Sequence, residues 1–311
     1  MEEHPIDLER REFLKRLAAL GVAVGAGRWL VLPEELWAMA PEAKAQPRVA
    51  RVQGTKWDQI TGEALQKLGG MKKFVNPGET VVVKPNMGFD HTPELGANAH
   101  PLVVRKVVEL CLEAGAKQVK VFDYPVVEPR ISYQASGIQA ALRQIRDPRV
   151  SVVYIDPRDF VQVVAERAKT MKKWWYYKDV LEADRFINIP VAKTHSRVGL
   201  TMSLKNMMGA IGGNRPSLHV NLPQNIADMN LILRPDLHVL DATRIMVQNG
   251  PYGGRLEDVE VRNQVLAGAD PVALDAVGTT LFGRLPSQIS YIVKAHRHGL
   301  GEMELNKITM L

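Results

Sequence analysis

Apolar and polar positions change rhythm repeatedly from residue 80 to the end of the chain. Short β-branched runs alternate with stretches of helical spacing, the pattern of an α/β protein on a largely parallel sheet. A strand over 80–83 (Thr80-Val81-Val82-Val83) is entered from an Asn76-Pro77-Gly78 turn. Pro101 opens a helix that runs to Glu113 and stops at Gly115, since proline suits a first turn and glycine a stop. A strand over 118–122, a helix over 138–145 and a strand over 150–155 follow. Residues 178–183 make a short helix leading into a strand over 185–190. A longer helix covers 219–233, ending before Pro235. Strands over 237–240 and 263–267 come next, then a helix over 271–282 with Pro271 in its first turn. The expected fold of residues 46–311 is α/β: a largely parallel, Rossmann-like sheet with helices on both faces.

Between residues 160 and 178 the alternation lapses into Lys172-Lys173-Trp174-Trp175-Tyr176-Tyr177. Interleaved bases and aromatics suit a nucleotide-stacking surface, but an aromatic hairpin packed on the sheet is the simpler reading.

Residues 1–45 have a different character. Arg10-Arg11 stand just before Phe13-Leu14, and a small-residue apolar stretch runs from Leu17 to Gly27. That layout is a twin-arginine (Tat) signal peptide. Cleavage is expected after Ala43-Lys44-Ala45, because the alternative Ala38-Met39-Ala40 is followed by Pro41. The apolar run is too short to span a bilayer, and no later window is long and apolar enough. The expectation is a periplasmic or extracellular protein delivered by the Tat export machinery, anchored if the signal is retained.

The chain carries 40 Lys/Arg against 34 Asp/Glu, a net charge of +6. Six of those basic and eight of those acidic residues precede residue 46, so the remainder carries +8. A basic balance selects anionic partners, and for an exported protein these are small acidic molecules or envelope surfaces rather than nucleic acid. Cys111, flanked by Leu110 and Leu112, is the only cysteine. It reads as a buried structural thiol, and it excludes both an internal disulfide and a cysteine-ligated iron–sulfur cluster. Metal and other cofactors stay open.

Ligands of an open parallel sheet bind beyond the carboxyl ends of its strands. Here several apolar strands run straight into polar residues: Val83 into Lys84-Pro85-Asn86, Phe122 into Asp123, Ile189-Pro190 into Lys193-Thr194-His195, and Leu240 into Asp241. Together they point to one shared polar site. The segment from Thr201 to Asn214 adds Lys205, Asn206 and Gly209, and Asn249-Gly250-Pro251-Tyr252-Gly253 offers a second glycine loop. Glycines let backbone N–H groups approach an anion, although neither loop matches a P-loop or a dinucleotide fingerprint.

Lys84, Lys193 and Lys205 offer positive charge for a carboxylate or phosphate, with crowding depressing a lysine pKa toward catalytic use. His195 and His219 are the acid–base candidates. His219 is expected near the start of a helix sharing one face with Asn221, Asn225 and Asp228. His100 is a weaker candidate for the same cleft, and His296 and His298 read as surface residues. Asp270 caps the helix begun by Pro271. Asp275, one turn inside, is expected to pair with one of the lysines.

Several of these motifs together resemble the DUF362 family. They are Lys84-Pro85-Asn86, Glu113-Ala114-Gly115-Ala116, Ile189-Pro190…Lys193-Thr194-His195, Leu204-Lys205-Asn206-Met207-Met208-Gly209, His219, Gly250-Pro251…Gly253, and Ala267-Gly268-Ala269-Asp270-Pro271…Asp275. The family is named for having no assigned function. Some members carry a ferredoxin-like cluster domain, a role this chain lacks the cysteines for. Three readings follow: an exported enzyme acting by acid–base or redox chemistry on a small anion, a non-catalytic carrier of a metal or cofactor, and an adhesin for anionic envelope polymers.

Overall fold

The computed structural model describes Trp29–Val31 and residues 46–311. Apart from Trp29–Val31, the signal peptide expected over 1–45 lies outside the described residues.

In chain order the elements are β1 (Trp29–Val31), β2 (Arg48–Gln53), α1 (Trp57–Lys67), β3 (Thr80–Pro85), α2 (Pro101–Glu113) and β4 (Gln118–Asp123). Then come α3 (Pro129–Ala135), α4 (Ile138–Arg143), β5 (Val150–Tyr154), β6 (Phe160–Val164), β7 (Lys173–Tyr177) and α5 (Lys178–Glu182). The site-bearing part follows with β8 (Arg185–Ile189), β9 (Val191–His195), β10 (Gly199–Thr201), α6 (Ser203–Asn206) and α7 (Leu222–Met229). The chain closes with β11 (Leu237–Met246), β12 (Val259–Gly268), α8 (Pro271–Thr279), α9 (Ser290–Arg297) and β13 (Thr309–Met310).

The main sheet has the strand order β13-β2-β12-β11-β8-β3-β4-β5, with β9 and β10 branching from β11. Along that path only β12 runs against its neighbours, pairing antiparallel with both β11 and β2. The remaining pairs are parallel. The α/β, largely parallel expectation holds.

Buried strands of a parallel sheet present apolar residues to both faces, and the core divides accordingly. Val81, Val83, Val119, Val121, Ile187 and Val239 pack on one side, where Val103, Val104 and Val107 of α2 and Ile60 and Leu65 of α1 meet them. Val82, Phe122, Phe186, Leu240 and Leu266 pack on the other, against Ile226 of α7, Leu274 of α8 and Ile292 of α9. Helices therefore cover both faces.

The aromatic segment forms β7, antiparallel to β6, with β1 parallel to β6 on its other edge. Tyr176 and Tyr177 are buried in the second core, and Trp174 donates its indole N–H to Gly212 O at 3.0 Å. The hairpin packs on the glycine turn as apolar cover.

One predicted helix is broken in two. Instead of a helix over 219–233, the chain makes a 3-10 segment, Arg215–Asn221, and then α7. Pro216 and Pro223 each remove a backbone donor, and each sits where a new segment begins. His219 is thereby separated from the face carrying Asn225 and Asp228. Those two residues accept hydrogen bonds from Thr170 Oγ1 at 2.6 and 2.8 Å, away from the strand ends.

Candidate functional site

Sheet register sets the floor of the site. Lys84 on β3 is level with Asn188 on β8, and Asn188 is level with His238 on β11. Lys84, Asn188 and His238 are all fully buried, so three polar side chains form a buried row across three neighbouring strands. A buried polar row survives only if its members satisfy one another.

Hydrogen bonds run along it in one consistent sense. Asn188 Nδ2 donates to His238 Nδ1 at 3.0 Å and to Ser203 O at 3.1 Å. Asn206 Nδ2, from α6 above, donates to Asn188 Oδ1 at 2.7 Å, and Asn206 Oδ1 accepts from Lys84 Nζ at 3.1 Å. Burial holds His238 down to about 3, so its ring is neutral and accepts at Nδ1.

At its outer end the row meets charge. Lys84 Nζ pairs with Asp123 Oδ1 at 2.8 Å and donates to Pro85 O at 3.2 Å. Asp123 also accepts backbone N–H bonds from Met87 at 2.7 Å and Tyr124 at 2.9 Å. Burial pushes Lys84 below its ordinary range, against the opposing pull of Asp123. Gly209 closes over this pair: a Cβ there would stand 2.6 Å from Lys84 Cε and overlap Asp123 Oδ1. Its role here is to permit close approach, with its carbonyl accepting from Tyr124 N at 3.0 Å.

Beyond the pair, further cations converge. Lys193 Nζ donates to Ala97 O at 2.6 Å and Asn86 Oδ1 at 2.8 Å, and lies 4.2 Å from the centre of the Phe89 ring. Burial, then the charge of Lys205, holds Lys193 well below the lysine range. Lys205, half-buried at the end of α6, has Met208 Sδ at 3.5 Å as its nearest polar partner. Burial, then Arg215 and Lys84, holds it down to about 8. Arg215 donates to Tyr124 O at 2.6 Å and Pro125 O at 2.7 Å, and its guanidinium lies 4.2 Å from the Tyr124 ring centre.

Two histidines complete the group, with opposite ring tautomers. His195 Nδ1 accepts from Arg197 N–H at 3.1 Å, which places the ring proton on Nε2. Burial, then Lys205 and Lys193, lowers it to about 3, and His219 is also close enough to contribute. His219 Nδ1 lies 3.2 Å from Pro216 O, a pure acceptor, so that nitrogen carries a proton, and among the described residues Nε2 has no hydrogen-bond partner.

The structure thus gathers Lys84, Asn86, Lys193, His195, Lys205, Asn206, Gly209 and His219 into one region. It sends the other candidates elsewhere. Asp275 pairs with no lysine among the described residues: its carboxylate accepts from Ser203 N at 2.7 Å and Leu204 N at 3.1 Å, anchoring α6 from behind. Burial raises it to about 7. Asp241 accepts from His100 N at 2.6 Å and from Thr243 N at 2.9 Å, tying the start of α2 to β11. The His100 ring stacks edge-on against Trp57, 4.4 Å between centres. Gly250 packs directly on the backbone of Thr194, and Gly253, with φ of 58°, stands over Met246. Both shape a turn behind β9. A cavity of about 470 Å³ lined by Thr194, Arg262 and Arg284 also opens on that side and includes none of the lysines. His298, expected at the surface, is instead buried, its Nε2 3.0 Å from Asp228 Oδ1.

Four participants went unselected in the sequence: Asp123 as the lysine's partner, Arg215, Asn188 and His238. The last two did carry a signal, a lone polar residue inside Arg185-Phe186-Ile187-Asn188-Ile189 and Leu237-His238-Val239-Leu240.

Fold and site define an α/β protein with a cation-rich centre at the strand ends of a largely parallel sheet. The chain belongs to the family described as "Domain of unknown function (DUF362)", whose family model matches residues 81–280 and so takes in every site residue from Lys84 to His219. It is 28% identical over 244 residues to a thylakoid-associated protein of Synechocystis, covering 76% of this chain and 73% of that protein. Among solved structures it is similar to a protein from Thermotoga maritima, with a TM-score of 0.48 and 13% identity. A second similarity is to the lactate racemase apoprotein from Thermoanaerobacterium thermosaccharolyticum, with a TM-score of 0.38 and 12% identity. These matches cover 75% and 73% of this chain, which spans 61% and 56% of those two chains.

Proposed function

We propose that this protein binds a small carboxylate- or phosphate-bearing molecule at the strand-end centre and moves a proton on it, after export by the Tat route. The excess of cations carries the reading. Lys84, Lys193, Lys205 and Arg215 act on one another, and among the described residues the single carboxylate bonded to any of them, Asp123, is taken by Lys84. Charged groups held out of water without counter-charge are expensive, and a bound anion supplies what the chain omits. Among the described residues the other three cations meet only carbonyl oxygens, an amide oxygen, a thioether and aromatic rings.

The tautomers divide the work. His195 is a neutral N–H donor suited to polarising a carbonyl or carboxylate oxygen, as a neutral imidazole does where its pKa is depressed. His219 presents a free Nε2 as proton acceptor. Met208, Arg215 and Asn86, each half-buried like Lys205, give the centre its outlet to solvent.

The test is a titration with inorganic phosphate and with oxalate, read by calorimetry and thermal shift. Binding is expected to weaken as pH rises through about 8, where Lys205 loses its proton. Lys205→Arg should hold affinity to higher pH and Lys205→Ala should lose it. Failure of either anion to bind the wild type at pH 7 overturns the reading.

A further inference from the structure

We propose that Lys205 is a condensing amine and that the anion taken here is a small 2-oxo acid, whose carbonyl forms a Schiff base with Lys205. This inference rests on the anion-site reading above and names its substrate class. Three observations favour Lys205 over the other two lysines.

First, its nitrogen is uncommitted. Lys84 Nζ is engaged by Asp123, Asn206 and Pro85, and Lys193 Nζ by Asn86 and Ala97. Among the described residues Lys205 Nζ has only the thioether of Met208, a weak acceptor at 3.5 Å. Second, it is reachable: Lys84 and Lys193 are buried at 0% and 2% exposure, whereas Lys205, the penultimate residue of α6, is half-buried. Third, its charged neighbours Arg215 and Lys84 are cations, which favour a neutral amine and suit the carboxylate of an oxo acid. A lysine held down to about 8 has a usable neutral fraction near neutral pH.

The chemistry closes with groups in the centre. The neutral amine attacks the carbonyl carbon; the C–N bond forms as the C=O π pair moves to oxygen. His195 Nε2–H hydrogen-bonds that oxygen while His219 Nε2 accepts a proton from the nitrogen. His219 relays that proton to the oxygen, giving the carbinolamine, and then carries the second nitrogen proton the same way, so that the C–O bond breaks with loss of water as C=N forms. No oxidant or reductant is consumed. Once protonated on nitrogen, the product is an electron sink one bond from the substrate carboxylate and from the C3 carbon, whose protons it acidifies.

Pyruvate with sodium cyanoborohydride tests this on the purified protein. The expected result is one reduced pyruvate adduct per chain, mapped by peptide mass spectrometry to Lys205, and lost in Lys205→Arg and Lys205→Ala. Oxalate, which has the anionic groups but no ketone, should compete with labelling. Adducts confined to other lysines, or undiminished in Lys205→Arg, overturn the proposal. Oxalate and pyruvate stabilising the protein without an adduct at Lys205 sinks the Schiff base and leaves the anion site standing. Neither stabilisation nor an adduct sinks both.

Discussion

Lys84 Nζ and Asp123 Oδ1 face each other at 2.8 Å with 1% and 2% of their side chains exposed, joining the ends of neighbouring strands β3 and β4. The pair is the junction between two regimes. Inward, a hydrogen-bonded row reaches His238 with every amide oriented; outward lie cations that bond no carboxylate among the described residues.

Breaking that pair from one side should be costly. Lys84→Met or Asp123→Leu alone leaves a buried, uncompensated charge, and each is expected to destabilise by about 3–5 kcal/mol. The double replacement should cost well below the sum, because it removes both desolvated charges. A double-mutant cycle by urea unfolding measures the coupling, and additive losses would show that the two do not act as a pair.

Gly209→Ala should also destabilise, by about 2–4 kcal/mol from overpacking and a displaced ion pair. The added methyl meets Asp123 Oδ1 and Lys84 Cε, both buried and bonded to each other's side chain. Gly283→Ala is a useful contrast: it has open space at Cβ but a φ of 64°, so it reports backbone strain alone. Equal losses at the two sites would remove the steric explanation for Gly209.

Asp275 should write its own signature on pH dependence. Burial raises its folded pKa to about 7, above the ordinary carboxylate value. The folded state therefore retains a proton that the unfolded chain has released. Stability accordingly falls as pH rises from about 4 to about 7, by up to ~1.4 kcal/mol per pH unit from this group. Asp275→Asn, neutral throughout, should flatten that part of the profile relative to wild type. Parallel wild-type and mutant profiles between pH 4 and 7 would contradict the assignment.

Export should depend on Arg10 and Arg11. Fusing residues 1–50 to a reporter that the Tat route carries folded, Arg10→Lys with Arg11→Lys should abolish transport. The wild-type segment should deliver reporter trimmed after Ala45. Transport that is indifferent to the arginines would remove the Tat proposal without touching the site.

Much of the fold was legible because its signals are local. Val81-Val82-Val83 and Ile187 announce buried strands through β-branching, and Pro101 and Pro271 open helices since each sits where its missing N–H has no partner to lose. The helix expected over 219–233 failed because its apolar spacing is real while Pro223 interrupts the backbone that spacing presumes. Asp270 capped its helix as expected, bonding Val272 N and Ala273 N. Asp275 misled: a carboxylate inside an apolar helix suggests a cation partner, yet two backbone N–H groups of α6 satisfy it.

The sequence alone determined which residues end the strands. A chain that runs Val83-Lys84, Phe122-Asp123 and Ala192-Lys193 must put those polar groups at one edge of any parallel sheet it forms. Only the tertiary structure decided which polar groups meet. Strand order places β8 between β3 and β11, and register levels Lys84 with Asn188 and Asn188 with His238, across 104 and 50 residues of chain. It also turned Asp275 toward backbone, buried His298 against Asp228, and left Lys205 without an oxygen partner among the described residues. Those outcomes depend on side-chain contacts between distant segments, which no local pattern encodes: strand propensity and capping act over a few residues, while pairing of charges is settled by packing of the whole sheet.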